Sequence, residues 1–420
     1  MSIAVETRAV RRDFEVISLV GLAHGTSHFF HLLLPSLYPW LMKDFDLSFT
    51  QAGFLATVFF VVSGIGQALA GFVVDRLGAR RVMMFGIGML TVGSGLVALA
   101  PSYPGLIFAA GVTGLGNSIF HPADFTLLNR RVSTPRLGHA FSVHGLVGYI
   151  GWAAAPVFVT GLAGLWNWHA AAAGAAAVGG AVFVLLQLRR ASLDDLQVQE
   201  LVGSASSHKA EARAASQLAF LRSTAVWLSF MFFLLSTAAF GILQNFAPTV
   251  LGHVYGMPLA LASAGLTAYL LGSAAGIIAG GFASTRFPDT DVVVAVMLGV
   301  AAVFALILAT GVVPQWAVLA CMAMMGFGVG VAGPNRDLLV RKAATSQFGK
   351  GSFGRVYGFV YSGLDVGLAL APMLIGPLLD AGRFVLGLYA IALFQIGALI
   401  TALRVGARAR ASSVGKPVTE

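Results

Sequence analysis

GLGNSIFHPADFTLLNRR, Gly114 to Arg131, returns in altered form as GFGVGVAGPNRDLLVRK, Gly326 to Lys342, at a constant spacing of 212 residues. In each copy a glycine-rich apolar run meets a proline, then a polar patch, then a basic end. The following segment repeats as well: GHAFSVHGLVGYIGWAAAP, Gly138 to Pro156, matches GRVYGFVYSGLDVGLALAP, Gly354 to Pro372, at a spacing of 216. A weaker echo links GFVVDR, Gly71 to Arg76, with GFASTR, Gly281 to Arg286. The economical reading is a duplicated unit.

The composition says what surrounds that unit. Hydrophobic residues make up 57% of the 420, charged residues only 10%, and the mean hydropathy is +0.84. A soluble domain carries about 25% charged residues, so most of this chain is solvated by lipid. Windows of about 20 apolar residues, enough to span a bilayer at 1.5 Å per residue, recur along it. They predict twelve helices, over 14–42, 52–75, 81–100, 104–130, 137–163, 167–188, 222–252, 258–284, 290–312, 315–343, 352–380 and 383–404. The fold class expected is an all-α membrane protein of two pseudo-symmetric six-helix bundles.

The long polar interval falls between the two sets of six. The expected organisation is an N-terminal bundle over 1–188, a cytoplasmic linker over 189–221, a C-terminal bundle over 222–410 and a cytoplasmic tail over 411–420. The polar start MSIAVETRAVRRDFE precedes an apolar stretch too long for a signal peptide, so the first helix is expected to stay. Of the 26 Lys and Arg, all but Lys43, Arg383 and Arg336 fall on one side, which the positive-inside rule makes cytoplasmic. Both termini are then cytoplasmic, in a cell (inner) membrane. The net charge of +9 thus reports topology and gives no support to nucleic-acid binding. With Cys321 the single cysteine, neither an intramolecular disulfide nor a cysteine metal cluster is expected, and no cofactor is implied. Trp166 and Trp168 read as interfacial anchors.

GFVVDRLGARR, Gly71 to Arg81, resembles the loop signature between helices 2 and 3 of the major facilitator superfamily, G-x-x-x-D-R-x-G-R-R, with Ala79 in place of one Arg. The resemblance implies that Gly71, Asp75, Arg76, Gly78, Arg80 and Arg81 latch the two bundles in one state. Gly71 would let helix ends approach and Gly78 would make the turn. HFFHLLLPSLYPWLMKDFDLSFTQAGFL and GLGNSIFHPADF look like the first and fourth helices of the fosmidomycin resistance protein group. The chain departs from that group at Ser27 and His28, where an Asn-Asp pair is expected. It also departs from drug exporters at Ala110 and at GWAAAP, Gly151 to Pro156.

Candidate site residues follow from polarity out of place. His24, His28 and His31 at i, i+4 and i+7 share one face about 60° wide. They read as a substrate or proton pathway, the alternatives being histidines satisfied between helices or a metal site. Asp124 in lipid needs a partner. Its repeat mate is Arg336, which suggests an inner gate in which the two pair. The competing reading neutralises each charge in its own bundle, Asp124 by His121 or His144 and Arg336 by Asp337 or Asp365. Asp365, mid-helix among small residues, is either a proton site or a helix-to-helix hydrogen bond. Asn117, Gln244 and Asn245 could contact substrate or a neighbouring backbone.

The function expected is secondary active transport of a small organic solute, anionic and proton-coupled, by rocking of two bundles in a monomer embedded in the lipid bilayer. The alternative is efflux of a phosphonate-type antibiotic. A third reading, a signalling or assembly protein without transport, leaves costly intramembrane charges unused. No catalytic residue, resident metal or enzyme activity is expected.

Overall fold

The computed structural model describes residues 3–194, 222–287, 289–348 and 353–414. The chain divides into two compact units, Met1–Leu47 with Phe54–Ala210, and Ser48–Gly53 with Glu211–Glu420. The described residues are helical throughout, with no strand among them.

Unit 1 holds α1 (Ile3–His31), α2 (Leu33–Phe45), α3 (Phe49–Leu77), α4 (Ala79–Ala98), α5 (Tyr103–Asn117), α6 (Phe120–Arg131), α7 (Leu137–Leu165) and α8 (Trp168–Leu188), apart from the first turn of α3. Unit 2 holds α9 (Thr224–Tyr255), α10 (Leu259–Arg286), α11 (Thr290–Ala309), α12 (Gln315–Phe348), α13 (Phe353–Asp380) and α14 (Val385–Val414). Among the described residues, eleven spans are long and apolar enough to cross a membrane. The twelfth, expected as one helix over 104–130, is broken into α5 and α6 around Ser118 and Ile119. The first span bends likewise at Leu32, between α1 and α2.

Proline explains both interruptions. A proline has no N–H for the carbonyl four residues back, and its ring crowds that carbonyl. Pro122 strips Ser118, where α5 stops. Pro35 strips His31, where α1 stops. Elsewhere the helices run on through Pro156, Pro248, Pro334, Pro372 and Pro377.

Helix pairs close on small residues, as expected where lipid offers no hydrophobic drive and backbone contact must supply the attraction. A Cβ on Gly151 of α7 would collide with the Gly25 carbonyl of α1. In unit 2 a Cβ on Gly326 or Gly330 of α12 would collide with the carbonyls of Tyr269 or Ser273 on α10. Gly78 joins α3 to α4 at φ +84°, a conformation that makes this turn a glycine position. At one end of unit 1, Asp13 accepts from the Ser133 N–H and hydroxyl and from Arg136 Nε, at 3.2, 2.5 and 3.0 Å. Asp291 similarly receives Arg410 in unit 2, at 2.8 and 2.9 Å.

One anchor is not where the sequence put it. Trp166 is 70% exposed, as an interfacial residue should be, but Trp168 is only 3% exposed. Its indole donates to Asp44 at 2.6 Å and stacks on His169, so it ties the start of α8 to the end of α2.

Candidate functional site

The two proline breaks face each other inside unit 1, and polar side chains gather there. His31, on the last turn of α1, meets Asn117, on the last turn of α5, with Nε2 2.8 Å from Oδ1. Trp152 Nε1 donates to His31 Nδ1 at 3.2 Å, so that nitrogen accepts and Nε2 carries the proton toward Asn117. Asn117 Nδ2 in turn donates to Ser63 Oγ at 2.8 Å. Hydrogen-bonding neighbours therefore fix the His31 tautomer, which points to a positioning role for this ring.

A second cluster lies along the same helix face. Asp124 is fully buried, and its Oδ2 is 3.1 Å from His24 Nδ1 and 3.1 Å from His144 Nε2. An ionised carboxylate only accepts, so both imidazoles donate to it. The His24 and His144 rings stack at 3.5 Å. His28 lies 4.3 Å from His24 and stacks on Trp152 at 4.0 Å. His121 approaches His24 edge-on at 5.4 Å and hydrogen-bonds Gln67 Oε1 through Nδ1 at 3.0 Å. Four histidines and one carboxylate thus cluster here, all buried except the half-buried His121. Two of their atoms, Asp124 Oδ1 and His28 Nδ1, have no hydrogen-bond partner among the described residues.

Gly148 makes room for the rings. A Cβ there would sit 2.7 Å from His28 Nδ1 and 3.1 Å from His24 Nε2. On α7 the residues His144, Gly148 and Trp152 recur every fourth position, so one helical face supplies a ligand, a gap and a stacking platform.

Asp124 thus finds hydrogen-bond partners inside its own bundle. His144 was one of its two anticipated partners, but His24 takes the place of His121, which turns to Gln67. Ser63, Gln67 and Trp152 escaped the sequence reading. The first two stand at i, i+4 in an otherwise apolar span, and Trp152 stands eight residues after His144, which are the signals that could have found them.

In unit 2 the Arg336 guanidinium lies over the Phe233 ring, 4.6 Å from its centroid, a cation–π contact. Asn245 Nδ2 donates to the Gly241 carbonyl at 2.8 Å, so part of its amide is spent on its own helix. Gln244 is buried and Asp365 half-buried, the latter between Gly363 and Gly367. In the loop signature Gly78 makes the turn as expected. Gly71 does not support a close approach, since a Cβ there meets open space. Arg76 and Arg81 are exposed and Arg80 is partly buried, while the side chains of Asp75 and Asp337 lie outside the described residues.

Comparison with known proteins accords with this architecture. The Major Facilitator Superfamily model matches residues 18–372. The fosmidomycin resistance protein of Escherichia coli (strain K12) is 29% identical over 154 residues, 37% of this chain and 38% of that protein. The multidrug resistance protein B homolog of Mycobacterium tuberculosis (strain ATCC 25618 / H37Rv) is 30% identical over 123 residues, 29% of this chain and 22% of that protein. The matched stretches thus span well under half the length of these relatives. A solved structure of the nucleoside transporter NupG superposes with a TM-score of 0.73 over 93% of this chain and 99% of that one, at 15% identity, which shows a shared fold. With the family model spanning most of the chain and apolar helices of membrane-crossing length along it, this protein is a multi-pass membrane protein and belongs to the Major Facilitator Superfamily.

Proposed function

We propose that the chain is a monomeric, proton-coupled secondary transporter that moves a small organic anion by alternating access of its two bundles. Arg336 carries the reading. It is a guanidinium within a membrane-crossing span, braced on Phe233, and its planar fork matches carboxylate or phosphonate oxygens. Such a charge is costly in lipid and is retained where it binds something. Asp365, in the span Phe359–Asp380 with small neighbours, serves as the proton site. Gln244 and Asn245 line the path in unit 2, and His28, Asn117 and His121 in unit 1. The Gly71-to-Arg81 loop acts as the conformational latch, and the Lys and Arg distribution supports an inner-membrane location with both termini cytoplasmic.

Proteoliposomes with an imposed pH gradient test the reading. Labelled organic anions, carboxylates and phosphonates, should accumulate and should leak out again when a protonophore is added. Accumulation of neutral solutes alone, or accumulation indifferent to the gradient, overturns it. The similarity to the fosmidomycin resistance protein favours a second reading, export of a phosphonate antibiotic. Expression in a sensitive strain should then raise the inhibitory concentration of fosmidomycin, and an unchanged concentration rejects export of that compound.

A further inference from the structure

We propose that His24, Asp124 and His144 form a binding site for a divalent transition-metal ion, with His28 and His121 beside it. Two overlapping triads, His24 with Asp124 and His144, and His24 with His28 and His121, each bring one donor atom per residue within 4.8 Å of the others. In the first triad the Asp124 oxygen is 3.1 Å from a nitrogen of each histidine. Ligand bonds of about 2.0–2.2 Å place neighbouring donors of a tetrahedral ion about 3.4 Å apart. Two of the three donor–donor distances are therefore already close to that spacing and the third lies within 4.8 Å, and an ion enters with small outward shifts once each neutral ring carries its proton on its other nitrogen and turns a lone pair to the site.

The surroundings point the same way. Asp124 Oδ1 and His28 Nδ1 are buried polar atoms that accept nothing from the described residues. Both are polar atoms left over after the hydrogen bonds are made, and a buried polar group without a partner calls for one. Gly148 keeps α7 from filling the space beside His24 and His28. Gln67 holds the His121 ring through Nδ1, the outer partner that a ligating imidazole ordinarily has.

Donor chemistry selects the ion. Two imidazoles and one carboxylate are borderline ligands that suit Zn²⁺, Co²⁺ or Ni²⁺. Mg²⁺ and Ca²⁺ take oxygen cages, and Cu⁺ prefers sulfur, which this set of His and Asp donors lacks. One carboxylate and two neutral rings carry a single negative charge, so a divalent ion leaves the site at +1, against −1 without it.

The test uses full-length protein with its purification tag removed, stripped with EDTA in detergent. Titration with Co²⁺ should give one equivalent per chain with visible d–d absorption, displaced by Zn²⁺. Asp124→Asn and His144→Gln should each weaken binding by more than about 100-fold, since losing an outer-shell partner alone costs about 10–100-fold. His169→Gln, outside the cluster, should bind normally. X-ray absorption on the wild-type protein should show a nitrogen and oxygen shell with imidazole scattering, a readout that no misfolded variant can confound. Absence of saturable Co²⁺ binding, binding unchanged by both substitutions, or an oxygen-only shell overturns the proposal. Co²⁺ flux into proteoliposomes marks the ion as cargo and binding without flux marks it as resident, and either supports the site. Binding is read without a transport substrate, so its failure leaves the transporter reading standing.

Discussion

The two halves of this molecule are copies of one unit, yet their first spans treat proline in opposite ways. Aligned on Pro35 and Pro248, His24, His28 and His31 correspond to Thr237, Gly241 and Gln244. In unit 2 the Thr237 hydroxyl hydrogen-bonds backbone carbonyls, and a Cβ on Gly241 would meet Ala371 at 2.8 Å, so α9 and α13 close backbone to backbone. In unit 1 α1 and α7 also meet backbone to backbone, at Gly25 and Gly151, but imidazoles stack beside that contact. Beside Pro248 stands Asn245, and beside Pro334 stands Asn335, whose amide donates to the Val331 carbonyl at 3.0 Å. At both prolines the helix continues. Unit 1 has Leu32 and Ala123 at those places, and its helices break near them. Both copies pack tightly on glycine, and in unit 1 the corresponding positions carry a buried polar cluster.

Four measurements break or sharpen that contrast. The largest effect is expected for Asp124→Ala, which leaves two buried imidazole donors without their acceptor. Thermal unfolding in detergent should show a loss of about 2–5 kcal/mol, the cost of two orphaned groups. The matching substitution in unit 2, Arg336→Ala, which removes the cation–π contact on Phe233, gives the comparison. Equal losses would mean that the two halves carry their charges alike.

Next comes Gly148→Ala, whose Cβ would press on His28 and His24. Overpacking of this kind costs about 1–3 kcal/mol. Gly71→Ala, which meets open space, should stay within about 0.5 kcal/mol. If both are neutral, the histidine cluster is looser than its geometry indicates. Arg336→Lys keeps the charge but loses the fork, and should weaken anion binding about tenfold, or roughly 1.4 kcal/mol, with little change in melting temperature. Normal anion affinity in that variant would remove Arg336 from the binding site. A small change in stability is also expected from Pro35→Ala, which restores a helix donor while moving His31 away from Asn117. Transport should fall while stability changes by less than about 1 kcal/mol, and Pro248→Ala should affect transport less. The opposite order would place the working break in unit 2.

Much of this was legible beforehand where the controlling physics is local. The histidine stripe was set by the 3.6-residue period, and the bend at Ser118 was available in principle from Pro122. Gly78 announced its turn because few other residues adopt that backbone. The reading of Trp168 as an anchor failed because a tryptophan at a helix start looks the same from the sequence whether lipid or Asp44 receives its N–H. Gln67 was invisible as a partner because a polar residue in a span announces that it needs a hydrogen bond but not which one.

The sequence by itself determined twelve hydrophobic segments, their duplication and the family. Each span must satisfy its own backbone in lipid, and about 20 apolar residues are a countable local property. Only the tertiary structure decided that His24 rather than His121 holds Asp124, 100 residues away along the chain. That choice depends on how closely α1, α6 and α7 approach, and the approach is set by Gly25, Gly148 and Gly151, residues whose contribution is the side chain they lack.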